Sequence, residues 1–359
     1  HGITLVGTGG AENTIIDGEG TRRGLTGDGC GDNGTVIEGL TFQNGSATNG
    51  GGVHLNGCST SLINCTFTDN TATDDGGGIL DQSLATTMTG CTFTNNTAGD
   101  YGSAGVFLGG FAISDCQFQN NTGNRGTLAL ANNSTASIAQ DVTNCLFDSN
   151  TAGEGSGIHL NQSQAVITGT TFESNTSTST AFGGTLAAFN DTDAVLSNCT
   201  IRNNASASGG GLFLTNGDSP FPPSTIAISG TTICGNTPQQ YSTDPGSTLV
   251  DQGGNVIRTD CENAGPWLVV DDDLLDEPLA DFTNIQDAID AASDGDEILV
   301  MPGTYVGDGA VENKVVDMKG KDLWLHGLEG QTESTIIDGQ DAQRCVYCTD
   351  FETADCIIQ

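Results

Sequence analysis

A short phrase recurs along this chain about every 25 residues: a Gly-rich step into an apolar segment, then a Cys-x-Phe segment, then Asn. Its anchors are Phe42, Phe67, Phe93, Phe118, Phe147, Phe172, Ile201 and Ile233, separated by 25, 26, 25, 29, 25, 29 and 32 residues. A unit this short cannot bury a face alone, so the units must stack on one another into an elongated solenoid.

The alternation within each phrase sets its geometry. Cys65 and Phe67, Cys91 and Phe93, Cys116 and Phe118, Cys145 and Phe147, and Cys199 and Ile201 are two apart, so each pair faces one side of a strand. These residues, with Phe172, predict a core ladder along the inside of the stack. Thr170 and Thr231 take the Cys place in other units. That exchange favours packing over a disulfide or metal ladder. Asn70, Asn96, Asn121, Asn150, Asn175, Asn204 and Asn236 each follow their anchor by three residues. Asn tolerates a left-handed bend and bonds to main chain, and stacked copies bond from coil to coil, so an internal Asn ladder is predicted.

A second apolar series precedes the first, in Gly52-Val53-His54-Leu55, Gly78-Ile79-Leu80, Gly105-Val106-Phe107-Leu108, Gly157-Ile158-His159-Leu160 and Gly211-Leu212-Phe213-Leu214. A third lies around Ala165-Val166-Ile167. Strands this short, separated by Gly, Asn, Asp and Ser, leave no room for crossover helices. The fold class that follows is all-β, a right-handed parallel β-helix solenoid. His54, His159, Phe107 and Phe213 take the outward place in their strands and are expected at the surface.

The pieces Gly51-Gly52-Val53, Gly77-Gly78-Ile79 and Gly210-Gly211-Leu212, together with Phe67 to Asn70, Phe93 to Asn96, Phe118 to Asn121, Phe147 to Asn150 and Phe172 to Asn175, resemble the repeats of the chlamydial polymorphic outer membrane protein family. The resemblance covers about residues 39 to 236. It implies a right-handed parallel β-helix in a secreted or surface passenger with adhesive or structural roles.

After Asn236 the rhythm breaks, and residues from about 237 read as a terminal loop region. An amphipathic helix is predicted over 284–292, with Ile285, Ala288, Ile289 and Ala292 on one face, Thr283 and Gln286 as a capping box and Gly295 at its end. It leads into Glu297-Ile298-Leu299-Val300-Met301-Pro302-Gly303-Thr304-Tyr305, which resembles the opening of pectin-lyase-like β-helices, where such a helix plugs the core. The expected domains are therefore 1–266, a β-helix without its own cap, and 267–359, the start of a second unit.

Thr335-Ile336-Ile337-Asp338-Gly339 repeats Thr14-Ile15-Ile16-Asp17-Gly18 at an offset of 321, and Leu323-Trp324-Leu325-His326-Gly327 resembles Ile3-Thr4-Leu5-Val6-Gly7. The expectation is a stretch of a longer covalent array of units of about 321 residues. The alternatives are end-to-end assembly of separate subunits, since open β-helix ends invite continuation, and an isolated fragment.

Nine basic against 45 acidic residues give a formal charge of -36, which excludes direct nucleic acid binding. Salt screens such self-repulsion, so an extracellular or cell-surface location in a marine or high-salt setting fits. No run is long or apolar enough to span a membrane. Of the 12 Cys, Cys234, Cys261, Cys345, Cys348 and Cys356 stand outside the ladder and are the disulfide candidates. Asp271, Asp272, Asp273 and Asp276 form a dense carboxylate group that would suit calcium, although no cofactor is required.

Catalysis is disfavoured. Arg22, Arg23, Arg125, Arg202 and Arg258 do not cluster at repeat-equivalent positions, and Asp74-Asp75, the best local acid pair, reads as a solvated turn. Trp267 and Trp324 read as scattered rather than as a platform. The functional expectation is a non-enzymatic structural or adhesive extracellular fibre whose partners are itself and cell-surface or matrix glycans. The alternatives are a polysaccharide lyase or hydrolase, or a carbohydrate-binding surface protein.

Overall fold

Each phrase closes one coil, and the coils pair in parallel throughout. In the computed structural model, which describes residues 2–83, 85–131, 140–216, 222–258, 261, 267–274, 280–293, 296–306, 314–321, 323–327, 334–340, 344–347 and 357–358, the chain is an all-β parallel solenoid with one short helix among the described residues. It divides into two compact units, His1–Cys261 and Glu262–Gln359.

In the first unit the Cys-x-Phe segments form a 10-stranded sheet. Phe42, Phe67, Phe93, Phe118, Phe147, Phe172, Ile201 and Ile233 fall in direct register. All are fully buried. The rings stack, with centroids from 4.4 Å (Phe67 on Phe93) to 5.3 Å (Phe42 on Phe67) apart. The register thus lines up both backbone bonds and aromatic faces, and offset stacking adds to the area burial. The other two apolar series share a 17-stranded sheet, whose strands alternate buried and exposed residues, as in Ala85–Thr89.

The Asn residues close each coil from inside. Asn121 Nδ2 donates to the Phe93 carbonyl at 3.0 Å and to Asn150 Oδ1 at 3.0 Å, while its Oδ1 accepts the Asn96 backbone N–H at 2.9 Å. The same pattern runs from Asn70 to Asn236, where Gln240 Oε1 takes the last amide at 2.9 Å. Buried amides left unpaired would each be costly, and the stack satisfies every copy with the next. The left-handed backbone falls one residue earlier than the ladder: Asp69, Asn95, Asn120, Ser149, Ser174 and Asn203 have φ of 54° to 56°. The bend and the hydrogen bonding are thus divided between neighbouring residues.

The Cys column is also a hydrogen-bonded ladder. Cys91 Sγ accepts the Cys65 N–H at 3.4 Å and Cys116 Sγ the Cys91 N–H at 3.3 Å. Thr170 Oγ1 serves Cys145 and Thr231 Oγ1 serves Cys199 in the same way, each at 3.3 Å. Thiol and hydroxyl are interchangeable here because each offers one small acceptor at the same height. A third column, of hydroxyls, repeats the device where Ser83, Thr192 and Ser247 accept from Cys58, Ser163 and Ser224.

The coil does not stop at Asn236. Tyr241–Thr243, Thr248–Asp251 and Val256–Arg258 extend both sheets, so the expected terminal loop region contains a further coil. Backbone pairing continues there with Gln239-Gln240 in the place of Gly210-Gly211 before the strand.

In the second unit, Trp267–Val270, Glu297–Val300, Trp324–Gly327 and Ile357–Ile358 form a four-stranded parallel sheet. The helix is Ile285–Ala291, slightly shorter than the predicted 284–292. Its N-cap is Asn284, whose side chain accepts the Asp287 N–H at 2.8 Å, in place of the expected Thr283 and Gln286 box. Gln286 instead reaches Asp317, accepting its N–H at 2.8 Å. Lys321 Nζ donates to the carbonyls of Ile289 and Ala292, each at 2.6 Å, capping the far end; Gly295 lies outside the described residues. Ile285, Ala288 and Ile289 bury against Val270, Ile298, Val300, Leu323 and Leu325.

Candidate functional site

The predicted core ladders are structural. Cys65, Cys91, Cys116, Cys145 and Cys199 are buried free thiols. Burial pushes the Cys199 thiol up; the thiol of Cys145 is raised by its hydrogen bond with Cys116 and then by burial. Neither is a nucleophile at neutral pH. Cys234 and Cys261 form a disulfide, and Cys58, which the sequence reading left aside, is disulfide-bonded as well. Cys345, a disulfide candidate, is instead an exposed free thiol. Cys348 and Cys356 lie outside the described residues.

One outward bend of the first unit gathers the titratable groups that the sequence had left dispersed. Tyr101, Arg125 and Glu154 stack in consecutive coils. Arg125 Nη1 donates to Asp100 Oδ1 at 3.0 Å, its Nε lies 3.5 Å from Glu154 Oε2, and its guanidinium sits 4.9 Å over the Tyr101 ring. The carboxylates of Asp74, Asp75 and Asp100 lie within 4.8 Å of one another. Desolvation pushes the Asp75 carboxyl up, as do its neighbours Asp74 and Asp100, and desolvation also raises Glu154.

Three surface expectations are overturned, those for His159 and Phe213 because the outward face is covered there and that for Phe107 because of its register. His159 is 4% exposed, edge-on to Tyr101 at 5.6 Å and stacked on Phe189 at 4.7 Å, with Nδ1 3.8 Å from Glu154 Oε2. Burial, and then Arg125, lowers its pKa to about 3, so it stays neutral at physiological pH. Phe213 is buried in a cluster with Ala187 and Phe189, with Phe182 edge-on above. Phe107 is buried because it is Val106, not Phe107, that takes the outward register beside Leu80 and Ala129. His54 is half-buried and 3.2 Å from Gln82 Oε1. Leu80, Val106 and Ala129, with Tyr101 and Leu108 packed against them, form a further small apolar layer on this face. Sequence alternation alone assigns such residues to solvent.

In the second unit, Asp271, Asp272 and Asp273 bring carboxylate oxygens within 4.8 Å of one another. Asp271 is fully buried, and Asp272 Oδ2 accepts the Thr304 N–H at 3.1 Å. Asp276 lies outside the described residues. Either acid group offers the all-oxygen donor set of a hard divalent cation.

Residues 64–82 match the family model described as the Chlamydia polymorphic membrane protein (Chlamydia_PMP) repeat. This is part of one coil of the stack, from the turn at Asn64 through Phe67 and Asn70 to the strand ending at Gln82. No curated protein and no solved structure matches the chain.

Both tryptophans of the chain, Trp267 and Trp324, fall in the second unit. Trp267 pairs in backbone register with Glu297, and Glu297 with Trp324. The two tryptophans are separated by 57 positions in sequence. No helix among the described residues is long and apolar enough to cross a membrane.

Proposed function

We propose that this chain is a non-enzymatic structural or adhesive component of an extracellular or cell-surface fibre, in the manner of repeat-bearing surface passengers of the polymorphic membrane protein type. The observation that carries this reading is the continuous Phe and Asn ladder from Phe42 to Asn236, in which the repeated side chains bond coil to coil. Such an arrangement makes a stiff rod whose length is set by repeat number. The 321-residue offset favours tandem or end-to-end extension. A charge of -36 keeps lateral surfaces apart and suits a marine or high-salt setting.

Calcium at the Asp271–Asp273 group would stiffen the second unit. Addition of millimolar calcium is expected to raise its melting temperature; an unchanged melt removes the metal from the proposal.

A second reading, a polysaccharide-active enzyme, is favoured by the convergence of Arg125, Asp100 and Glu154 on one bend. Against it, Arg125 already pairs with both acids. Incubation with neutral and uronic polysaccharides, followed by reducing-end and unsaturated-uronate assays, decides between them. Turnover abolished by Glu154→Gln would overturn the fibre reading.

A further inference from the structure

The charge that holds the sides of the first unit away from a neighbour thins out on one of them. Asp69, Asp74, Asp75, Asp100 and Asp115 lie between strands, at the bends of the coils. The outer face of the third apolar series instead carries a column that runs through eight successive register pairs from Val36 to Val250, and so holds nine residues. Asp141, the fifth of them, is its one charged member, with Glu38 and Asp193 in the flanking columns. The two halves of the column differ in relief. Before Asp141, the small residues Ser59, Ser61, Ala85, Thr87, Gly110 and Ala112 line a shallow hollow of about 390 Å³. After it, Val166, Val195 and Val250 stand out at 42%, 36% and 37% exposed, with Ala227 between the last two. Single exposed valines are ordinary, but a row of them on one flat sheet marks a contact surface.

A hollow and a ridge at equal distances from one point complement each other under a two-fold axis. With the axis at Asp141, Ala112 and Val166 are each one coil from the centre, and Thr87 and Val195 each two. The valines of each copy then enter the hollow of the other. Nine strands about 4.8 Å apart and four or five residues long span about 40 by 15 Å, so a pair covers about 1,200 Å² in total, the lower bound for a specific interface. Val, Ala, Ser and Thr lose little side-chain entropy on contact. The nine residues of the column include no aromatic ring for a sugar to stack on and no cation for an anionic polymer. We propose that this face is the docking surface for a second copy of the same chain, paired antiparallel about Asp141. The pairing adds a lateral contact to the fibre reading and does not depend on it.

Sedimentation equilibrium of the full chain in about 0.5 M sodium chloride, which screens the remaining charge, is expected to show a reversible monomer–dimer equilibrium with a Kd on the order of 10 μM. Val195→Asp, on the ridge, and Ala112→Trp, which fills the hollow, are each expected to weaken it by about a hundredfold or more. Both positions are exposed, so the melting temperature of the monomer stays unchanged. Asp141→Asn removes the like charges that meet at the axis and is expected to tighten the pair by about tenfold. Gln117→Asp, on the exposed side of the 10-stranded sheet, leaves the dimer as it was. A monomer at every concentration up to about 1 mM, a dimer indifferent to both Val195→Asp and Ala112→Trp, or an Asp141→Asn dimer no tighter than wild type overturns the pairing. Two further outcomes also overturn it. Assembly beyond the dimer that ignores these variants would mean growth through the coil ends, and a monomer held on insoluble cellulose or chitin until Val195→Asp releases it would give the face to a glycan.

Discussion

The two units of this chain build parallel coils by different means. In His1–Cys261 the coils from Cys65 to Asn236 repeat the same Phe or Ile, Asn and Cys or Thr positions, and stability is distributed along ladders of like contacts. In Glu262–Gln359 the larger apolar cluster of the described residues is one in which the helix Ile285–Ala291 packs against strand residues Val270, Ile298 and Val300, with Val269, Leu299 and Met301 forming a smaller one. The ladder spreads a small interaction over many copies, so damage propagates to its neighbours. The helix-centred cluster depends on a few large contacts. The first design suits indefinite extension, and the second suits a single place in the chain.

Mutations can break this contrast, beginning with the largest effect. Phe118→Ala removes a ring stacked between Phe93 and Phe147, at 5.1 Å and 4.5 Å. It is expected to destabilise the first unit by about 3 to 5 kcal/mol and leave the melting transition of the second unaltered. Two-transition calorimetry checks this; a joint shift of both would mean that the units do not unfold separately.

Asn121→Ala orphans the Phe93 carbonyl and the Asn96 N–H, both within the core. A loss of about 2 to 3 kcal/mol is expected, with hydrogen exchange accelerated in the two flanking coils rather than at the site alone. Uniform exchange across the unit would contradict nearest-neighbour stacking.

His159 gives a pH-dependent term. Its folded pKa, lowered to about 3 by burial and by Arg125, lies below its ordinary value of 6.5. The unfolded chain therefore binds the proton first, and stability is lost as pH falls from 6.5 towards 3. Relative to wild type, His159→Leu should gain melting temperature on moving from pH 7.5 to pH 5. A difference that stays constant between those two values would mean that the imidazole is hydrated in solution.

The smallest effect is expected from Cys145→Thr. Thr170 and Thr231 already fill this position in other coils and accept the same N–H at 3.3 Å, so the change should stay within about 1 kcal/mol. A larger loss, measured by urea unfolding, would show that the thiols contribute more than an acceptor.

Much of the coil was readable before any coordinates. The fixed Phe-to-Asn offset and the two-residue Cys-to-Phe spacing reach from Cys65 to Asn236 and have a direct physical cause in strand alternation. The left-handed turns one residue before each ladder Asn were less visible, because Asp69, Asn95, Ser149 and Ser174 share a conformation but no side-chain type. Phe107 and Phe213 were misplaced for two different reasons. One is a register shift of a single residue, and the other is an outer layer that no periodicity encodes. The bend of Tyr101, Arg125 and Glu154 escaped notice because its members are 24 and 29 residues apart and differ in type.

By itself the sequence determined that the chain coils, how long each coil is, and which side chains line the inside, because repeated spacing forces identical residues into identical environments. Tertiary structure alone decided which unlike residues meet across coils: Arg125 between Asp100 and Glu154, His159 between Tyr101 and Phe189, and Glu297 beside His326. Those meetings depend on the exact register between coils of unequal length, and a periodic pattern carries no information about positions that do not repeat.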